Sequence, residues 1–324
     1  MLFRTELNIL PSKAQIQYTD PVLLIGSCFS QNIGSYLQKY KFNVISNPFG
    51  TVFNPISIAK LLQVAALDTQ FTAEDLLKSQ GKWVHPDFHS VLSTTNVKST
   101  LDQIHQAIHH VHLALKRVKI IFITLGTSYA YTFKESETVV ANCHKLSGNL
   151  FDKKLLSVEE SVAALEESIA LLRRSNDSIH VVVTVSPVRH IKDGIVENQR
   201  SKARLIETAH RLVELDPENT TYFPAYEWLM DDLRDYRFYG EDMIHPSDSA
   251  IQFIWEKFCH HYFEKDTLSK LSEVQDILKA AHHKHFNPDS AETAKFKSEY
   301  LRKIDALTGR FPFLNFDTEK TAFQ

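Results

Sequence analysis

Short apolar runs alternate with amphipathic stretches along most of the chain. The first run is PVLLIG at 21–26, followed by SQNIGSYLQKY, whose apolar residues fall at helical spacing. The second, KFNVIS at 41–46, leads through NPFGTVFNP into the helical ISIAKLLQVAAL. VKIIFITLG at 118–126 follows the helical TLDQIHQAIHHVHLALKR, and HVVVTVSP at 180–187 follows VEESVAALEESIALLRR. The fifth run, TTYFPAYE at 220–227, is less apolar and comes after SKARLIETAHRLVEL. Strand, helix, strand repeated in this way predicts a parallel sheet covered by helices. Near-continuous apolar strands such as the third and fourth are expected where both sheet faces are buried. Right-handed crossovers then give a doubly wound sheet, with ligands bound outside the carboxyl ends of the strands.

Two segments break the repeat. Residues 66–98, containing GKWVHPDFHS, read as an insertion, and residues 128–150 alternate around a polar turn as a hairpin would. From residue 264 the chain becomes charged and helical (267–285, then 291–307), with Phe296, Tyr300, Ile304 and Leu307 at helical spacing. The expected organisation is an α/β domain over 1–263 and a C-terminal helical extension over 264–324 that packs on the core or on a partner.

Composition narrows the function classes. A net charge of −3 over 324 residues provides no broad basic field, so neither nucleic acid nor a membrane surface is expected as a partner. The apolar runs are far shorter than the ~20 residues of a membrane helix, and the first fifteen residues show no secretory pattern. Three cysteines, Cys28, Cys143 and Cys259, are too few and too odd for a disulfide framework. A soluble protein of the cytoplasm is the expectation.

The chemistry concentrates at two loops. In IGSCFS, Gly26 permits a tight turn and Cys28 opens the next helix, where unpaired backbone N–H groups and the helix dipole favour a thiolate. The alternative is a small buried hydrophobe, a common use of a free cysteine. In EDMIHPSDSA, Asp242 precedes His245 by three residues, a spacing that lets a carboxylate orient an imidazole. A surface loop with a helix cap is the plainer reading of that pair. The order Cys, Asp, His, with the nucleophile after the first strand and the base before the last helix of the core, is more specific than either piece.

Taken together, IGSCFS, NPFGTVFNP, TLGTSYAY, SPVRH, SKARL, DDLRDYRFY and DMIHPS resemble the GSCFA-domain family, related to the SGNH (GDSL-type) hydrolases, over roughly residues 20–262. The resemblance implies a flavodoxin-like three-layer α/β/α sandwich and ester or thioester chemistry by hydrolysis or acyl transfer. It puts Cys28 at the position of the nucleophile and Ser27 one residue out of register as a competitor. Asp242 and His245 stand as the last block, and Gly50 as the glycine that donates to the oxyanion. The third block departs: Gly126, Thr127 and Ser128 occur where an asparagine donor is expected, leaving Ser128 or Asn142 to replace it. Losing one oxyanion donor costs ~10²–10³ in rate. A catalytically silent ligand-binding protein on the same fold is the alternative function.

The substrate is expected to be a small-molecule or glycan acyl ester. Ser27, Asn47, Arg189 and His190 are placed as its contacts, Arg189 being suited to a carboxylate or phosphate. Asn142 and His144 belong to the same set, weighed equally against a purely structural hairpin. Asp232, Arg234, Asp235 and Arg237 are expected to form a salt-bridge network fixing the His245 loop. On the helix at 100–116, His105 and His109 have i, i+4 spacing. No acidic or cysteine ligand completes that pair, so no metal and no cofactor is expected.

Overall fold

The computed structural model describes residues 5–284 and 286–324; His285, the last residue of the run expected at 267–285, and the first four residues lie outside them. Five parallel strands form the central sheet: β1 (Val22–Gly26), β2 (Val44–Ser46), β3 (Ile120–Leu125), β4 (His180–Val185) and β5 (Thr220–Phe223). Their spatial order is β2-β1-β3-β4-β5. This is the flavodoxin-like order, which reverses between β1 and β3 and so leaves a crevice at their carboxyl ends.

The sheet's two faces carry two separate cores, as period-two alternation requires. Leu23, Ile25, Ile121, Ile123, Val181 and Val183 pack under four helices: α2 (Pro55–Ala66), α3 (Val97–Leu115), α4 (Val158–Ser175) and α5 (Ile195–Leu215). On the opposite face Val22, Leu24, Ile120, Phe122 and Phe223 meet α1 (Cys28–Lys39) and α6 (Asp248–Tyr262). The arrangement is a three-layer α/β/α sandwich.

Beyond α6 come α7 (Lys265–Ala281), α8 (Ala291–Arg310) and α9 (Asp317–Ala322). Leu271, Val274, Ile277, Ile304, Leu307 and Phe316 lie in the same buried cluster as Phe29, Ile33 and Trp255. Helix α6 thus sits between the sheet and the extension, and Lys41 pairs with Glu319 at 2.7 Å across the contact.

Helix starts follow local chemistry. Ser27, Asn54, Asn96 and Ser157 each accept a first-turn N–H, and Pro55 supplies a preset φ at the start of α2. The hairpin expected near 128–150 is formed by 129–133 and 138–140, but residues 151–155 add a third antiparallel strand. That strand, FDKKL, is exposed over its middle three residues, so it lacks the apolar run by which the core strands announce themselves. The 66–98 segment holds its own two-stranded ribbon, 77–79 with 82–84.

Candidate active site

The turn after β1 is braced by the loop after β2 and by the end of β3. Gly26 has φ +135, and a Cβ there would lie 2.1 Å from the Thr124 carbonyl oxygen, so only glycine fits. Its N–H donates to Asn47 Oδ1 at 2.9 Å and its carbonyl accepts the Val52 N–H at 2.9 Å. The Ser27 N–H donates to Thr124 O, and Asn47 Nδ2 reaches Ser27 O at 3.3 Å. Asn47 itself takes φ +42. Asn47 is therefore a brace for the turn that presents Cys28. Ser27 is fully buried, its Oγ capping α1 by accepting the Phe29 N–H at 3.3 Å.

Cys28 is half-buried at the first position of α1. Burial pushes its thiol up, outweighing its own N–H, the charge of Lys202 and the N–H of Phe29, all of which favour the thiolate. Against the expectation that the helix N-terminus favours a thiolate, burial here opposes it.

The 240–246 loop brings Asp242 and His245 together. His245 Nδ1 lies 2.7 Å from Asp242 Oδ2, while Asp242 Oδ1 accepts the backbone N–H groups of Ile244 and His245 at 2.9 and 3.0 Å. A carboxylate only accepts, so Nδ1 carries a proton, which leaves Nε2 as the acceptor of the neutral ring. The bond from His245 is the main reason that the Asp242 carboxyl is held down at about 2, with the two backbone bonds adding to it. Both side chains are about half exposed (54% and 48%), within reach of a bound molecule.

The expected salt-bridge network does not fix this loop. Arg234–Asp231 and Arg237–Asp235 are exposed local pairs, of a kind that contributes little; Asp232 instead accepts the Leu7 N–H. The loop is held by Gly240 N–H to His245 O and Ser247 N–H to Phe238 O, both 2.8 Å. Arg189 holds it from β4: its backbone N–H donates to Ile244 O and its Nη1 to Met243 O. The guanidinium also stacks 4.0 Å from the Tyr239 ring centre.

One residue was not foreseen in this role. Lys202, 1% exposed, donates from Nζ to the carbonyls of Gly126 and Ser186, both at 2.7 Å. These carbonyls end β3 and β4. Its charge acts on both Cys28 and His190, and His245 acts on His190. Burial first, then Lys202 and His245, push the His190 imidazole down to about 4, so it is neutral. Cys28, Lys202, His190 and His245 thus share one neighbourhood, at the carboxyl ends of β1, β3 and β4. Among the described residues no hydrogen bond joins Cys28 directly to His245.

Residues 21–258 match the model of the GSCFA family. The chain belongs to that family. Residues 274–324 also match the model of the GSCFA domain protein C-terminal domain. No curated protein matches the GSCFA chain. Among solved structures, a putative platelet activating factor from Streptococcus pneumonia is 12% identical with a TM-score of 0.38, over 75% of this chain and 86% of that one. An acetyl xylan esterase, Est2A, from the rumen bacterium Butyrivibrio proteoclasticus is 11% identical with a TM-score of 0.33, over 75% and 63%.

The GSCFA chain opens a cleft of about 500 Å³ whose lining includes Ile244 of the His245 loop but not Cys28, Asp242 or His245 themselves. Phe53, Thr127, His190 and Ile244 line it together with Tyr129, Tyr131 and Lys153 of the three-stranded sheet. His190 and Arg189 both line it; His144 and Asn142 do not. His144 is buried, with Nε2 donating to His85 O at 2.8 Å, and knits the hairpin to the 66–98 insertion. Asn142 Oδ1 accepts the His144 N–H at 2.8 Å.

The other oxyanion residues are engaged as well. The Gly50 N–H donates to Asn47 O at 2.8 Å, and Gly50 Cα packs against His89. Ser128 is fully buried and gives its hydroxyl to Ser201 O at 2.9 Å. The Cys28 N–H, in the first turn of α1, has no acceptor within the helix. The helix histidines tie α3 to the end of α2: His105 Nε2 accepts the Phe71 N–H, and His109 Nδ1 meets Asp68, each at 3.0 Å. Among the described residues no three His, Cys, Asp or Glu side chains group as metal ligands would.

Proposed function

We propose that this GSCFA chain is an acyl-ester or thioester hydrolase, or an acyltransferase, with Cys28 as nucleophile, His245 as base and Asp242 as the group that orients it. The observation that carries this reading is the Asp242–His245 pair: a locked tautomer with a free, accessible Nε2, at the same sheet edge as a half-buried cysteine. His245 Nε2 takes the Cys28 proton, and the thiolate adds to the acyl carbonyl carbon, forming an S–C bond and an oxyanion. The Cys28 N–H is the donor nearest to that oxyanion. Collapse breaks the C–O or C–S bond of the substrate, and the leaving group takes the proton from His245. Water or an acceptor hydroxyl or amine then gives its proton to His245 and attacks the thioester, releasing thiolate.

The expected substrate is a small-molecule or glycan ester whose acyl or sugar part rests on Tyr129, Tyr131 and Phe53. The three unpaired cysteines suit a reducing compartment such as the cytoplasm, and no helix among the described residues is long and apolar enough to cross a membrane. Turnover of p-nitrophenyl esters and acyl thioesters by the wild type, lost in Cys28→Ala, is the expected result. A second reading, a silent ligand-binding protein, is favoured by the engagement of Gly50 and Ser128 and by the burial that opposes a Cys28 thiolate. Tight binding of acyl esters without turnover, unchanged in Cys28→Ala, would select it.

A further inference from the structure

Lys202 stands on the buried face of α5, with Asn198, Ser201, Leu205, Thr208, Ala209 and Leu212, where a charged residue is unusual. Its two hydrogen bonds go to carbonyl oxygens, and among the described residues it makes no ion pair with a carboxylate. A buried ammonium without a counter-anion is costly, and folds keep such a group where an anion is expected. Gly126, whose carbonyl holds Nζ, lies two residues beyond Thr124, which pairs with Gly26 and accepts the Ser27 N–H. Lys202 therefore stands at the end of β3, beside the turn that opens into Cys28. The other neighbours are the His190 imidazole, close to Gly126, and the Tyr226 ring, 5.8 Å from Nζ. The His190 imidazole is neutral and a ring face carries no full charge. The one group of the three that becomes an anion in the proposed chemistry is Cys28.

We propose that Lys202 is the internal counter-cation of the Cys28 thiolate. Its two carbonyl bonds fix the ammonium at the ends of β3 and β4, beside the turn that Asn47 braces, so the sulfur gains a positive neighbour as its proton leaves. Lys202 forms no bond to substrate and acts through Cys28, so it is a positioning residue. The pair also accounts for a fully buried lysine in a helix whose other inward side chains are uncharged. The inference rests on Cys28 as the reactive sulfur and adds a group outside the Cys–His–Asp set.

Burial lowers the Lys202 ammonium to about 7, and Cys28 is the group that raises it. The coupling is reciprocal, so each partner's removal must move the other. The test is the iodoacetamide labelling rate of Cys28 against pH, read by mass spectrometry, in the wild type and Lys202→Met. Loss of the cation is expected to move the profile to higher pH and slow labelling at pH 7 by at least about tenfold, one pKa unit or more. The plateau at high pH is expected to stay, since a thiolate once formed is equally exposed. An unmoved profile, or one lowered equally at every pH, would overturn the proposal.

A second measurement leaves the lysine in place. Lys202 is titrated by carbon NMR of ε-labelled lysine in the wild type and in Cys28→Ala. A lower titration point in Cys28→Ala is expected, and equal titration in both would overturn the pairing. Both experiments read ionisation and neither reads turnover, so their failure is distinct from failure of the hydrolase reading.

Discussion

Asp242 serves His245 with both of its oxygens: Oδ2 meets the imidazole Nδ1 at 2.7 Å, and Oδ1 accepts the His245 backbone N–H at 3.0 Å. One carboxylate thus fixes the tautomer of the ring and the turn that carries it. In Asp242→Asn, Oδ1 can still close the turn, but the amide NH₂ presents a donor where the ring needs an acceptor. We expect an intact fold, by circular dichroism and melting temperature, with kcat/KM lowered by about 10²–10⁴. Loss of fold in this variant would mean that the carboxylate's role is structural.

Ser27 and Cys28 compete for the nucleophile's place in the sequence, and their surroundings separate them. Ser27 is fully buried and turns its hydroxyl onto its own helix. Ser27→Ala is therefore expected to lower stability by about 0.5–2 kcal/mol, the cost of a lost cap. It is expected to keep most of the activity, whereas Cys28→Ala removes it. Denaturant unfolding and ester turnover on the two variants decide the matter.

Asn47 is the hinge between the β1 and β2 loops. Asn47→Ala removes the acceptor of the buried Gly26 N–H and the donor to Ser27 O. An unsatisfied buried donor costs about 1–3 kcal/mol, read as a lower urea midpoint. Activity is expected to fall as well, through kcat more than KM, because the turn that aims Cys28 loosens while the cleft wall stays.

Lys202 adds a pH dependence of known sign. In the unfolded chain a lysine titrates near 10.4; in the fold, burial lowers Lys202 to about 7. Between those values the unfolded chain binds more protons than the folded one, so this group's contribution to stability rises with pH. Lys202→Met lacks it. The stability of the wild type relative to the variant is expected to improve from pH 7 to pH 8.5, by at most about 1.4 kcal/mol per pH unit. A flat difference in urea midpoints across that range would mean that Lys202 is charged throughout.

The sheet was readable because β1, β3 and β4 are near-continuously apolar, and because helices of clear periodicity separate the strands. The strand at 151–155 left no such mark: its middle three residues are charged and exposed, and its pairing with 129–133 is non-local. The Asp242–His245 pair was visible as a three-residue spacing. Burial was not, and burial opposes the Cys28 thiolate; the dipole at a helix start is legible while the depth of that start is not. Arg189 looked like a substrate clamp because its loop ends a core strand. In the fold its guanidinium is taken up by Tyr239 and Met243 O, contacts between segments fifty or more residues apart. Lys202 did leave a signal, a lysine on the inward face of an amphipathic helix, which reads either as a snorkelling side chain or as a buried charge.

The central claim is that the acyl group passes through Cys28. Incubation with p-nitrophenyl acetate, an acid quench and peptide mass spectrometry test it directly, with His245→Ala alongside. We predict an acetyl adduct on the peptide that carries Cys28, removed by hydroxylamine and formed far more slowly in His245→Ala. Ester turnover at the wild-type rate by Cys28→Ala, or an adduct on another residue, would contradict the account.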